Sequence, residues 1–410
     1  MKFSQQKRSL KENTSYFLKW TAISCMMGCV GGLAGCCFAK CVSFVTNFRV
    51  NHDWMLFFMP AAGLLIVYLY HIFHEEKNKG TNGVLEALAS QKQITLATGP
   101  LIFLSTVLTH LVGGSSGREG AALQLGSCLG TIISRGLKFN EKDRQTALMC
   151  GMSAVFGAMF GTPAAAGVFS LEVVNIGVMR YSALCPSIFS AFIGARIAVW
   201  MGVEAERFTI LNLPEFDLAG AGYMVVLGIL CALASIGFCT LLHRSEKLYH
   251  KVFPNPYIRI LAASGIFIAI TLLSGTRIYN GSSMELIEEA MEGHVRYEAF
   301  LMKALFTAVA LGGGFKGGEI VPTLCVGATF GCVVGHVLGV SPSLFAACGM
   351  AALFVGVTNC PIATLIIAME MFGGEGLPYF AIVIAVSFAM SGYYSLYSSQ
   401  NFAYPKTEKN

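Results

Sequence analysis

GREGAALQLGSCLG, Gly117–Gly130, sets an arginine and a glutamate side by side, brackets them with glycines and then runs into apolar sequence. Upstream, His110 to Val112 close an apolar pass, and Gly113, Gly114, Ser115, Ser116 and Gly117 read as a loop. The spacing predicts a helix starting near Glu119 or Gly120. The first turn of a helix carries unpaired N–H groups and a partial positive charge, which together make an anion site. A glutamate in that turn can fold back and fill the site as a tethered anion. Protonated, it loses its reason to stay, and a free anion can replace it. The same residues admit a structural reading, in which the glycines permit close helix packing and Glu119 pairs with Arg118. A carboxylate at membrane depth is nevertheless a functional feature by default.

The rest of the chain puts this stretch in a membrane. Of 410 residues, 55% are hydrophobic and 12% charged, against about a quarter charged in soluble domains. Apolar stretches recur from Phe17–Val45 to Tyr379–Met390, among them Ala147–Val174 and Ala346–Met371. Several are shorter than the roughly 20 residues a full span needs. Short, glycine-interrupted segments point to broken or half-spanning helices around a cavity. We expect an all-α polytopic protein with roughly ten passes and several half-helices in one integral domain. Residues 1–19 form a basic N-terminal segment, with an amphipathic surface helix as one reading. Residues 20–397 form the membrane domain and 398–410 a short polar tail. The positive-inside tendency puts the N-terminal segment and the loop Arg135–Arg144 in the cytoplasm. The net charge of +5 gives no reason to expect nucleic acid.

The 14 cysteines lie singly or in pairs within apolar segments, without metal-ligand spacing, and read as small core residues. No metal or cofactor is expected. Leu33–Cys36, LAGC, resembles a lipoprotein cleavage box, but its place before a multispan chain makes it part of an uncleaved first helix.

The chain also repeats itself. GMSAVFGAMFGTP (Gly151–Pro163) matches GMAALFVGVTNCP (Gly349–Pro361), and a glutamate follows each proline by nine residues, Glu172 and Glu370. Arg118–Gly130 parallels Gly318–Gly331, with a glutamate at the head and G-x-x-x-G after it, Gly126 with Gly130 and Gly327 with Gly331. Halves of approximately 20–200 and 218–397 follow from these matches. Duplicated transporter halves commonly share one site at their interface, which makes Glu119 and Glu319 the prime candidates. The half-helices favour an inverted arrangement.

The second motif, LGGGFKGGEIVPTLCVGATFG, repeats the design of the first. Gly312–Gly314, Gly317 and Gly318 are expected to form a loop, and a helix begins between Glu319 and Pro322, proline being favoured in a first turn. The amides of Ile320 and Val321 are free to point at a ligand. Two helix N-termini converging on one point hold a small anion without a full positive charge, so that it can also leave.

Together, GREGAALQLG, FGTPAAAGVFSLE, GGEIVPTLCVGATFG and SGYYSLYSSQ resemble the CLC family of anion channels and anion/proton antiporters. The resemblance implies a CLC-like inverted repeat of tilted and half-spanning helices, assembled as a homodimer with one pore per subunit. It implies a gating and proton-carrying role for Glu119 and anion contacts from Gly117, Arg118, Gly120, Ile320 and Val321. The pore tyrosine corresponds to Tyr397, with Tyr394 as the other reading. Near the inner end of the pore, KGTNGVLEAL (Lys79–Leu88) stands where chloride-transporting members have a Gly-Ser-Gly-Ile-Pro motif; Thr81 or Asn82 takes the serine's place. The Glu-Glu pair of many chloride/proton exchangers is here Glu172-Val173, so the internal relay carboxylate is absent. Glu319 stands where chloride types carry no carboxylate.

This combination resembles the fluoride/proton antiporter branch, in which the extra glutamate is implicated in proton coupling. The expected partners are fluoride or chloride, protons and the lipid bilayer, and the expected location is a bacterial inner (plasma) membrane. A chloride channel or chloride/proton exchanger is the alternative within the family. Two rivals lie outside it. GSSG (Gly114–Gly117) fits the G-x-S-G of an intramembrane serine protease with His336 as base, a pairing that needs hydrogen-bond reach. Carboxylate rings would suit a cation channel, but glycine-rich helix starts suit anions. Glu172 and Glu370 read as pairing or capping groups, His336 as a packing residue, and Lys316 either as an anion-attracting group or as a solvated loop lysine. No regulatory C-terminal domain is expected after Tyr397.

Overall fold

The repeated motifs fall at helix starts and helix breaks. A computed structural model describes residues 2–90 and 94–406. Among them are sixteen α-helices. The first half comprises α1 (Lys2–Val50), α2 (Met59–Ile72), α3 (Thr81–Ser90), α4 (Thr98–Leu111), α5 (Glu119–Gly136), α6 (Glu141–Phe160), α7 (Pro163–Glu172) and α8 (Leu184–Trp200). After a linker come α9 (Leu218–Val252), α10 (Pro256–Ser274), α11 (Met284–Met291), α12 (Ala299–Gly313), α13 (Ile320–Leu338), α14 (Pro342–Thr358), α15 (Pro361–Phe372) and α16 (Leu377–Met390).

Each long apolar stretch around the GM…P motif is two helices. Ala147–Val174 breaks at Gly161 and Ala346–Met371 breaks at Asn359, both left-handed, with φ of 70° and 59°. The residue before each proline is pushed out of the helical region: Thr162 has φ −116° and ψ 71°, Cys360 φ −115° and ψ 74°. The two resulting half-helices, α7 and α15, then cap one another. The Glu172 carboxylate at the end of α7 accepts from the amides of Ile362 and Ala363 at the start of α15, at 3.1 and 2.8 Å. The Glu370 carboxylate at the end of α15 accepts from Ala164 and Ala165 at the start of α7, at 3.0 and 2.9 Å. The end of each helix meets the start of the other, so these equivalent helices run antiparallel. That is the signature of an inverted repeat, and it gives both glutamates a capping role.

The G-x-x-x-G pairs hold α5 on α6 and α13 on α14. A Cβ on Gly126 would lie 2.3 Å from the Gly151 carbonyl oxygen, and one on Gly327 2.6 Å from that of Gly349. Backbone contact at that distance leaves no room for a side chain.

Several expectations are corrected. Among the described residues six helices are long and apolar enough to cross a membrane, against the roughly ten passes expected; the apolar stretches around the centre are split into shorter helices. The N-terminal segment is not a separate surface helix: α1 is continuous from Lys2 to Val50. It does share a face with the Arg135–Arg144 loop, since Lys19 bonds Asp143 at 2.6 Å. Gly312 and Gly313 are helical rather than loop, and they serve close approach to Ser245 and Ala263. The tail is docked. The strand Asn401–Phe402 pairs in parallel with Asn175–Ile176 just after α7, and Gln400 donates to the carbonyls of Val173 and Thr358. Tail residues 407–410 lie outside the described residues.

Replacing Glu172 or Glu370 by Ala strands two helix-start amides. Each change is expected to destabilise the protein by about 1–3 kcal/mol, visible as a lower melting temperature in detergent.

Candidate ion-transport site

The two motif loops meet at one point. Gly117 and Gly318 form an isolated antiparallel bridge, with Gly117 N donating to Gly318 O at 2.6 Å and Gly318 N to Gly117 O at 2.7 Å. Immediately after this bridge α5 and α13 begin, so two helix N-termini and their unpaired amides are brought together. Gly318 leaves no room for a side chain. A Cβ on Gly318 would lie 2.6 Å from the Gly120 amide nitrogen and 3.0 Å from that of Glu119. A Cβ on Gly117 would fall 2.3 Å from a carboxylate oxygen of Glu119.

Glu119 heads α5 and is fully buried. Its carboxylate folds back on the chain: Oε2 accepts from the amide of Arg118, the residue before the helix, at 2.9 Å. Its Oε1 has no hydrogen-bond partner. Glu319 precedes α13, and its Oε2 also lacks a partner. A Cβ on Gly120 would lie 3.5 Å from this Glu319 oxygen, 3.1 Å from Gly318 Cα and 3.2 Å from Thr81 Oγ1. The two glutamates thus stand on either side of the glycine bridge.

Two cavities approach this point. One, of about 870 Å³, is lined by Arg118, Glu119, His110 and Val321, and by the end of α1 including Arg49. By the positive-inside expectation for the basic start of α1, this is labelled the outer cavity. The other, of about 210 Å³, is lined by Thr81, Asn82, Gln124, Lys316, Glu319 and Tyr397. Thr81 Oγ1 lies 3.4 Å from the Gly120 carbonyl oxygen. Asn82 Oδ1 instead accepts from the Ser399 amide at 3.1 Å. The structure therefore turns Thr81 toward the helix starts and Asn82 toward the tail. Tyr397 is 2% exposed, and its hydroxyl is unpartnered. Tyr394 is 49% exposed. The first-turn amides of Ile320 and Val321 lie on the second-half side of the bridge. Lys316 borders the inner cavity with its ammonium 4.8 Å from the Tyr70 ring centre.

Five buried polar atoms without partners gather here: Ser116 Oγ, Glu119 Oε1, Gln124 Oε1, Glu319 Oε2 and Tyr397 Oη. Buried polar groups are normally bonded, so such a cluster between two cavities marks a place for a small polar species. The protease pairing is not made: Ser116 Oγ has no partner, and His336 Nε2 bonds the Gly293 carbonyl at 2.8 Å.

Sequence reading missed two residues. Gln124 stands one helical turn after Gly120, with Nε2 3.3 Å from the Gly120 carbonyl oxygen; that spacing was a usable signal. Glu206, on the linker before α9, bonds the Arg118 guanidinium at 2.7 Å. No local pattern connects these two residues, which are brought together by the fold.

Paired helix starts, backbone amides and two facing carboxylates between outer and inner cavities define a membrane protein built to pass small anions. A family model described as voltage gated chloride channel matches residues 62–392, and the chain belongs to that family, the CLC proteins. A chloride/fluoride channel protein of Pseudomonas syringae pv. tomato is 31% identical, over 95% of this chain and 88% of its own length. An H(+)/Cl(-) exchange transporter, ClcA of Vibrio cholerae, is 26% identical over 85% of this chain and 81% of its own. The crystal structure of a CLC-type fluoride/proton antiporter superposes with a TM-score of 0.91 at 29% identity, covering 94% of this chain and 98% of the other. A slow cyanobacterial Cl-/H+ antiporter shares the fold, with a TM-score of 0.80 at 16% identity over 91% and 94% of the two chains.

Gly318→Ala places a methyl group against the Glu119 and Gly120 amides. Anion binding measured by titration calorimetry is expected to weaken about tenfold or more, the equivalent of ~1.4 kcal/mol. Thr81→Ala is expected to weaken it more than Asn82→Ala, because the threonine is the one beside the helix starts.

Proposed function

We propose that this chain exports fluoride in exchange for protons. The observation that carries the reading is Glu319, a carboxylate with an unpartnered buried oxygen, set across the glycine bridge from Glu119. The likeness to the fluoride/proton antiporter structure and to the chloride/fluoride channel protein supports it.

The chemistry is coherent with fluoride. The ion is small, basic and strongly hydrated, so dehydration must be offset by many hydrogen-bond donors. The helix-start amides, the Thr81 hydroxyl and the Tyr397 hydroxyl supply them. Fluoride enters cells as neutral HF and is trapped as the anion; an inward proton gradient can drive it out.

The cycle begins at the outer cavity. An external proton neutralises Glu119, whose charge is what holds it on the helix start. The neutral side chain moves aside, and fluoride takes its place on the amides. Glu119 then loses its proton toward the inside, and Glu319, facing the inner cavity, is the acceptor. The absence of a relay carboxylate after Glu172 fits this route, since Glu172 is committed to capping α15. All these groups come from one chain, so each subunit of a homodimer would hold its own pore. The N-terminal segment and tail face the cytoplasm of a bacterial inner membrane in this reading.

Purified protein in liposomes, followed with fluoride and chloride electrodes and an internal pH dye, tests it. Fluoride efflux faster than chloride, with proton uptake, is expected. Glu119→Gln, which cannot titrate, is expected to abolish proton uptake. Chloride flux equal to or faster than fluoride would make the protein a chloride carrier or channel instead.

A further inference from the structure

Arg118 lies between two carboxylates and is held by the one that is not the gate. Its Nη2 donates to Glu206 Oε1 at 2.7 Å, while its Nε stands 3.8 Å from Glu119 Oε1, the oxygen without a hydrogen-bond partner. The same Nη2 is 3.5 Å from the Met159 carbonyl oxygen. Glu206 is not a drifting loop residue. Its backbone amide donates to the Phe160 carbonyl at 3.1 Å, and two residues on, the Phe208 amide donates to Met371 at 2.9 Å. The linker is thus stapled to the ends of α6 and α15. At Gly161 the fit is so close that a Cβ would lie 2.2 Å from Ala205 Cβ.

An opposite charge within about 4–6 Å favours the ionised form of a carboxylate, and a like charge disfavours it. A freed Arg118 need move only about an ångström to close on Glu119 Oε1 at charge-assisted hydrogen-bond distance, ~2.7–2.9 Å. We propose that Glu206 is a positioning residue that holds Arg118 away from Glu119 and so sets the external pH at which the gate is protonated. The inference rests on the antiport reading above.

Other groups also face Glu119. His110 on α4 and Arg49 on α1 line the outer cavity with it. Glu319 and Tyr397 approach from the inner side. Glu204, Asp53, Arg277, Glu285 and Glu288 border the wider outer cavity. These set a background common to all variants at position 206. Among the described residues, Glu206 is the acidic side chain whose carboxylate bonds the Arg118 guanidinium.

The test is fluoride efflux from liposomes against external pH at fixed internal pH, for wild type, Glu206→Gln, Arg118→Gln and the double variant. Glu206→Gln is expected to move the profile's midpoint acidward by about one unit, a tenfold higher proton concentration. Arg118→Gln is expected to move the midpoint alkaline, and further in the Glu206→Gln background than in wild type, because only there has the arginine closed on the gate. Midpoints are read rather than rates, since Arg118 is also part of the anion path. If Glu206→Gln is not monodisperse, Glu206→Asp, which keeps the charge but withdraws it by one methylene, is expected to shift the midpoint the same way by less. A Glu206→Gln (or Glu206→Asp) profile that overlays wild type overturns the proposal. So does an Arg118→Gln shift of equal size in both backgrounds, the mark of independent sites. Wild type that takes up no protons during efflux overturns the antiport reading itself, which these profile comparisons do not touch.

Discussion

Two backbone hydrogen bonds between Gly117 and Gly318 are the constraint on which the rest depends. They join the loops of the two halves and so fix where α5 and α13 begin. Each helix start contributes roughly half a positive charge from its aligned peptide dipoles. Brought together, they attract an anion without the full cation that would hold it too long. Any side chain at either glycine would occupy the space where the Glu119 carboxylate and the nearby amides lie.

Such a junction at membrane depth needs rigid support, because helix ends left without partners there are unstable. The support is supplied twice, by symmetry. Glu172 and Glu370 cap each other's helices, and G-x-x-x-G pairs seat α5 and α13 on α6 and α14. These carboxylates are fully engaged with backbone amides. Glu119 and Glu319 each keep an oxygen free. That difference separates two glutamates whose carboxylates cap helix starts from two that each keep an oxygen without a hydrogen-bond partner. It also explains how a chain with so few charges keeps four acidic groups in its interior.

The symmetry ends at the linker and the tail. The linker crosses the outer cavity and brings Glu206 to Arg118. At the end of the second half Tyr397 lines the inner cavity, and the tail that follows pairs with the segment after α7. Each adds to one cavity a group for which the other half shows no counterpart in the matched motifs. The two approaches to a two-fold junction are thereby made chemically different.

How much was legible in the sequence follows from which contacts are local. A helix start, its glycines and a glutamate in its first turn lie within a dozen residues, so Gly117–Gly130 and Gly318–Gly331 disclosed their chemistry directly. The repeat disclosed that the two belong together, but the breaks that make α7 and α15 separate helices came only with the structure. What those helices do was not legible. Whether Glu172 and Glu370 bind protons, pair with bases or cap amides depends on partners about 190 to 206 positions away. The choice of Thr81 over Asn82 beside the helix starts turns on a single helical step of about 100°, which the tail fixes by bonding Asn82. Gly312 and Gly313 read as a loop because glycine gives the same signal for flexibility and for close approach, and only the neighbouring helices distinguish the two. The sequence by itself determined the membrane setting, the duplicated design and the two central glutamates, because apolar length, period and first-turn position are properties of the chain. Tertiary structure decided which carboxylates are free and which are spent, because that depends on what the opposite half brings within hydrogen-bond reach.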